Sequence, residues 1–345
     1  MNAHFRRLLH PAFVVAILLA VTSCRPGTER AEFPRLTGPY LGQTPPGATP
    51  ELFAPGIVST GLYTRDVAMT PDGSEFYFGV MAGGFAVIME TKLVNGRWTE
   101  PEVAPFSGDP RFMDLEPHIS PDGRHFYFLS TRPPDGGEPA PNEIGAWVHQ
   151  DIWVMDRTET GWGAPYNLGP PVNTEASEFF PSVTLDGTIY FTRNDEDPAG
   201  SFIYRARLVD GRYAEPEKLP SEVNSVPQQF NAFIAPDESY LILSAGGRED
   251  SYGGADYYVI FRNPDDTWVG PINLGPTINQ ATGAEWSPYV SPDGRYFFFM
   301  STRKGSVPPR LTRDYLLGLS QAPENGTPSI YWVDAGFIEA LRPVG

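Results

Sequence analysis

A chain of 345 residues with 42 acidic and 25 basic side chains carries a formal charge of −17. A field of that sign repels phosphate backbones and anionic lipid surfaces, which sets nucleic acid aside and leaves cations, basic protein surfaces and neutral glycans as partners. The single cysteine excludes an internal disulfide framework and a cysteine-built zinc site.

In chain order, Arg6 and Arg7 come first, then the apolar run 13–21, too short to cross a bilayer, then Val21-Thr22-Ser23-Cys24. This is the layout of an export signal ending in small residues. It resembles a bacterial lipoprotein signal, which implies cleavage after residue 23, acylation of Cys24 and a place in a Gram-negative envelope, with the lipid as the only membrane contact. Arg25, where an aspartate commonly retains such proteins at the inner membrane, favours the outer membrane and leaves the periplasmic or surface side open. The Pro-, Gly- and charge-rich stretch that follows has no apolar period, so residues 24–46 read as a flexible tether to one domain over 47–345.

That domain is a repeat. A strand, a tight turn and a longer strand recur at 67–80, 117–132, 181–193, 232–245 and 288–303, with turns such as Pro121-Asp122-Gly123 and Pro292-Asp293-Gly294. Proline suits position i+1 of a type I turn and glycine follows at i+3. Leu185 for Pro and Glu238 for Gly depart from the pattern, and they bear on turn geometry alone. Continuous apolar runs such as Tyr296-Phe297-Phe298-Phe299-Met300 predict strands buried on both faces. Third strands are predicted at 86–93, 151–157, 202–208, 257–262 and 329–334, and fourth strands at 98–105, 162–168, 213–219 and 268–274. The fifth repeat has a helically spaced tail, 336–341, in place of a fourth strand. Its missing strand is at the other end of the chain, where Pro50-Glu51-Leu52-Phe53-Ala54-Pro55 matches Pro101-Glu102-Val103-Ala104-Pro105. An N-terminal strand completing the last set closes a ring and protects its edges, so the expected fold is an all-β, five-bladed β-propeller and a monomeric domain. Six blades, the alternative, would need a further, degenerate repeat.

Through these turns, the Ser130-Thr131-Arg132 ending and segments such as Asp151-Ile152-Trp153-Val154-Met155, residues of about 50–335 resemble the WD40-like (PD40) propeller repeats of TolB-like periplasmic proteins. Relatives of this repeat include protein-binding platforms, gating domains of serine peptidases and polysaccharide-active enzymes. No Gly-x-Ser-x-Gly elbow and no room for a hydrolase domain exist here, and three histidines beyond the signal, His118, His125 and His149, make a poor metal set.

Oxygen-bearing residues cluster just before the turns, at Asp66, Asp114, Glu116, Glu178, Gln229, Asn231 and Glu285, and are expected to ring one mouth of the channel. Such a ring suits a hard cation such as calcium, though no cofactor is required, and two of its carboxylates would suit acid–base work on a glycosidic bond. Arg132, Arg193 and Arg303 end the second strands on the same side, so pairing with those acids accounts for the acids without a ligand. Asn194-Asp195-Glu196-Asp197 lacks the spacing of a calcium loop and reads as a solvated acidic loop. Trp98, Trp162 and Trp268, with Tyr213 in the same slot, read as packing between blades. Long connections at 133–150, 194–201, 246–256 and 304–328 share the face of the acidic ring and offer Trp147, Tyr252, Arg310 and Tyr315, with Leu316, as contacts. The expected function is non-catalytic binding of a protein or cell-wall partner on that face, with a glycan-active enzyme or a calcium-plugged ring as the rivals.

Overall fold

In four of the five turns, an aspartate accepts a bond from the hydroxyl two residues before it, and in the fourth turn Asp237 accepts instead from Ser239 Oγ, two residues after it, at 2.6 Å. Ser120 Oγ lies 2.6 Å from Asp122 Oδ1, which also accepts the Arg124 N–H at 3.0 Å. Thr70, Thr184 and Ser291 bond Asp72, Asp186 and Asp293 in the same way. Gly123 and Gly294 follow at φ 72° and 71°, where a side chain is disfavoured. Glu238 takes that conformation in the fourth turn, and its carboxylate accepts the Tyr190 hydroxyl at 2.8 Å. Leu185 stands in for proline because its N–H donates to Pro236 O at 2.8 Å, a bond proline cannot make.

A computed structural model describes residues 32–283 and 285–343, so the export signal, Cys24 and the first part of the tether lie outside the described residues. The chain divides into a stretch 1–34 and one compact unit, 35–345. In that unit the strands form five antiparallel blades of four layers each. From the axis outward the first holds Tyr63–Met69, Glu75–Ala82 and Phe85–Val94, with Arg97–Trp98 and Glu102–Val103 on its rim. The second holds Asp114–Ile119, His125–Ser130 and Asp151–Thr158; the third Glu178–Val183, Ile189–Glu196 and Ala199–Ala206. The fourth holds Gln229–Ile234, Tyr240–Gly246, Ala255–Arg262 and Trp268–Asn273. In the last blade Tyr289–Val290, Tyr296–Ser301 and Ser329–Asp334 are joined by Glu51–Leu52, with Glu51 opposite Trp332. The two ends of the chain thus share one blade, and the ring is the five-bladed β-propeller the repeat predicts.

Three local differences have physical causes. The outer strands of the first three blades are each broken in two near Pro101, Pro165 and Pro216, where proline has no N–H to give the ladder, whereas in the fourth Trp268–Asn273 runs on through Pro271. In the third blade the expected loop 194–201 is strand out to the pair Glu196–Ala199, and Asp195 accepts the Tyr204 hydroxyl at 2.9 Å and Lys218 Nζ at 2.9 Å. It is a long hairpin rather than a loop, and its Asn194, Glu196 and Asp197 side chains are exposed, as expected of a solvated acidic segment. Residues 36–43, the C-terminal part of the expected tether, pack on the ring: Tyr40 and Leu41 are buried, and Trp98 donates to Leu36 O and Gly38 O.

The interblade tryptophans behave as expected. Trp98 and Trp268 are buried, and Trp162 Nε1 in the second blade donates to the Tyr77 hydroxyl in the first at 2.9 Å.

Candidate functional site

Asp66, Glu116, Phe180 and Asn231 in the first four innermost strands, and Ser287 just before the fifth, are in the left-handed region, with φ from 53° to 70°. The pairing register slips there in the first four blades, which marks a β-bulge. Beyond the bulge, the strand edge facing the axis has no neighbour to bond its N–H groups. Side chains of the preceding blade supply the acceptors. Asp66 Oδ2 accepts from Glu116 N, Glu116 Oε2 from Phe180 N, and Thr192 Oγ1 from Asn231 N, at 3.2, 2.7 and 3.0 Å. One step further along, His118 Nε2 accepts from Val183 N, Ser182 Oγ from Ile234 N, and the Tyr289 hydroxyl from Met69 N, at 2.9, 3.0 and 3.0 Å. His118 can do this because burial lowers its pKa to about 4 and leaves its ring neutral.

The seven oxygen-bearing candidates therefore divide between two levels and do not form one ring. Asp66, Glu116 and Asn231 are bulge residues. Asp114, Glu178, Gln229 and Glu285 stand two residues earlier, where the first three hold loops or arginines. Asp114 is bidentate to Arg132, with Nη2 to Oδ2 at 3.1 Å. Glu178 accepts Arg193 Nε at 2.7 Å and Thr174 N at 3.0 Å. Gln229 accepts from Val226 N and donates to Ser201 O, both at 2.9 Å. Arg303 turns away from its expected partner and donates to Thr277 O and Ile278 O.

At the axis, Arg65 serves two carboxylates, with Nε to Asp66 Oδ1 at 3.0 Å and Nη2 to Glu116 Oε1 at 2.7 Å. Ser287 of the last blade donates to Asp66 and ties the first blade back to it. Burial pushes Glu116 up to about 7; Arg65 opposes the rise and Asp66 adds to it. The void lined by Asp66 and Glu116 is about 10 Å³, and beside it on the turn side lies a pit of about 100 Å³. Among the described residues, no three His, Cys, Asp or Glu side chains gather as a metal site would require.

Glu285 differs from its counterparts. It is fully buried, accepts a 3.3 Å bond from Ser301 Oγ and a backbone N–H from Gln280, and among the described residues its Oε2 and the nearby Arg303 Nε are both without hydrogen-bond partners. Burial raises its pKa to about 7. A raised carboxyl favours the folded state fully below the unfolded value, about 4.3, and loses that contribution as pH climbs through 7. Urea unfolding at pH 5 and pH 8 is therefore expected to show wild type losing about 2–4 kcal/mol more than Glu285→Gln across that interval; equal losses in the two proteins would remove Glu285 as the titrating group.

The long-connection face carries the remaining candidates. Trp147 and Tyr252 are nearly half exposed, Arg310 is exposed, and Tyr315 is half-buried in the short helix Arg313–Leu319, none of whose residues is buried. Around them Leu62, Phe85, Ile144, Val307, Leu311, Leu316 and Leu317 are also largely exposed. Sequence reasoning named only Leu316 of these, because an apolar residue in an aperiodic loop has no pattern from which to read its exposure. It also passed over a repeated asparagine. Asn173, Asn224 and Asn279 bond both backbone groups of Ile152, Ile203 and Tyr257 and so stitch a loop to the third strand; Val172-Asn173, Val223-Asn224 and Ile278-Asn279 carried that signal.

No family model matches the chain, and no curated protein matches it. Solved structures do. TolB from Acinetobacter baumannii matches with a TM-score of 0.44 at 15% identity over 79% of this chain and 57% of its own, so this chain spans little more than half of that protein. A protein titled a glycoside hydrolase matches with a TM-score of 0.49 at 10% identity, covering 90% of this chain and 93% of its own. The periplasmic gluconolactonase of Pseudomonas aeruginosa matches at 0.37 and 12% identity, over 69% of this chain and 64% of its own. The likeness is one of propeller fold alone.

Proposed function

We propose that this protein is an envelope lipoprotein, anchored to the outer membrane through Cys24, whose propeller is a non-catalytic platform binding a protein or cell-wall partner on its long-connection face. The observation that carries this reading is the contrast between axis and face. At the axis, carboxylates are occupied by arginines and backbone N–H groups around a void of about 10 Å³, too small for a sugar ring. Acid–base chemistry on a glycosidic bond needs two carboxylates across an open cleft. On the face, by contrast, the connections at 133–150, 246–256 and 304–328 each hold apolar or aromatic side chains in solvent, with Leu311, Leu316 and Leu317 on and beside one short helix. Large apolar side chains exposed on functional loops suit a docking surface.

A photocrosslinker placed at Leu316 in intact envelopes tests it. One adduct of defined mass is expected from Leu316 and none from Val94, on the outer edge of the first blade. Leu311→Asp with Leu317→Asp should abolish the adduct from Leu316 without changing the melting temperature, since both side chains are about half exposed. An adduct spectrum identical at the two positions removes the face from the argument. Calcium as a structural plug is the rival reading; it predicts a melting temperature that falls with chelator and returns with added calcium.

A further inference from the structure

Beside the turns, a groove runs between each pair of neighbouring blades, and side chains or chain segments span four of them. Trp162 and Arg157 of the second blade reach Tyr77 and Glu75 of the first. Asp266 of the fourth pairs with Arg205 of the third. The C-terminal helix Phe337–Ala340 and Arg342 cross the groove between the fourth and last, with Arg342 over Phe261 and Phe337 against Phe297, and leave a cavity of about 420 Å³ between the helix and Leu274 and Ile278. The groove between the last and first is filled by residues 36–41. There Trp98 bonds Leu36 O and Gly38 O at 3.0 and 2.7 Å, and the Tyr40 ring packs 5.0 Å from Tyr296 and 5.5 Å from Trp332. The Tyr40 hydroxyl donates to Asp293 Oδ2 at 2.9 Å.

Between the second and third blades the corresponding groove is open, a cavity of about 610 Å³. Strand register fixes the correspondence. Ser120 N bonds His125 O as Ser291 N bonds Tyr296 O, so Asp122 and His125 stand where Asp293 and Tyr296 stand. Tyr127 lies opposite Val154 as Phe298 lies opposite Trp332, and Tyr213 opposite Leu208 as Trp98 opposite Leu93. All five counterparts, Asp122, His125, Tyr127, Val154 and Tyr213, line the open cavity. Valine in place of tryptophan is what leaves the room. Asp122 Oδ1 is taken by its own turn, while Oδ2, the counterpart of the oxygen that holds Tyr40, faces only the exposed Arg124, at 3.8 Å.

We propose that this cavity is a docking site for an extended peptide of a protein partner that presents a tyrosine, seated as Tyr40 is seated in the last blade. The ring lies on Tyr127, the hydroxyl donates to Asp122, and the exposed Leu185 and Leu208 flank the entering chain. This site is on the turn side of the ring, and it stands or falls separately from the long-connection face.

The probe is a fluorescein-labelled peptide of residues 35–43, Arg-Leu-Thr-Gly-Pro-Tyr-Leu-Gly-Gln, titrated with the full-length protein and read by anisotropy. Saturable binding is expected, weakened at least tenfold by Val154→Trp, which places an indole where Trp332 stands. A probe with phenylalanine for tyrosine should bind several-fold more weakly to wild type and no differently to Asp122→Asn. Because Val154 is buried, Leu185→Asp on the exposed rim is the second variant, and it should weaken binding as well. Absence of saturable binding to wild type, or binding unchanged in the folded variants, overturns the proposal. Dimerisation of the protein in sedimentation, lost in Leu185→Asp, overturns it in favour of a second copy of this chain as the occupant.

Discussion

Replacing Arg65 with methionine is expected to cost about 3–5 kcal/mol of unfolding free energy at pH 8, because it strands two buried carboxylates that share one guanidinium. The loss should appear in urea as a lower midpoint with an unchanged slope. It should shrink at pH 5, where Glu116, already raised to about 7 by burial, escapes the penalty by taking up a proton. Adding Asp66→Asn and Glu116→Gln should restore most of it, since the amide oxygens still accept from Glu116 N and Phe180 N while carrying no charge. A loss under about 1 kcal/mol at pH 8 would mean that the axis is held by packing, with the charges incidental.

Phe53→Ala should cost a similar amount, about 3–5 kcal/mol, by a different route. The ring of Phe53 is fully buried and packs 5.1 Å from Phe76 in the first blade and 5.0 and 5.1 Å from Phe298 and Trp332 in the last. It belongs to the N-terminal strand yet bridges the two blades that meet at the ring's seam. Phe191→Ala, a fully buried ring within the third blade, is the control. Both lose stability in equilibrium denaturation, and only Phe53→Ala should expose the seam to protease under native conditions. Equal protection in the two variants would show that the seam does not open ahead of the rest.

The fold was legible because its signals are local and repeated. Pro121-Asp122-Gly123 and its kin state a turn in three residues, and the match of 50–55 to 101–105 places the closing strand without reference to anything distant in space. The site was legible only as a list of oxygen atoms. The identities Asp66 and Glu116 reveal a polar axis, but the bulge that turns them to a neighbour's N–H depends on a register slip that no residue announces, even with proline next in line at Pro117, Pro181 and Pro288. Arginines at the strand ends were read as partners for the acids, which holds for Arg132 and Arg193. It fails for Arg303, whose guanidinium bonds loop carbonyls fixed by tertiary packing. Residues 36–43 were placed in a tether by composition, and what docks them is a tryptophan some sixty residues away.

The strand that seals the last blade also sets which way the ring faces. Glu51–Leu52 runs antiparallel to Ser329–Asp334, which starts at the long connections, so the chain enters the ring from the turn side, where Tyr40 is seated. Residues 36–41 therefore sit on the face opposite the long connections. The two occupants proposed above would then meet the compact unit from opposite directions, and neither would have to leave for the other to bind.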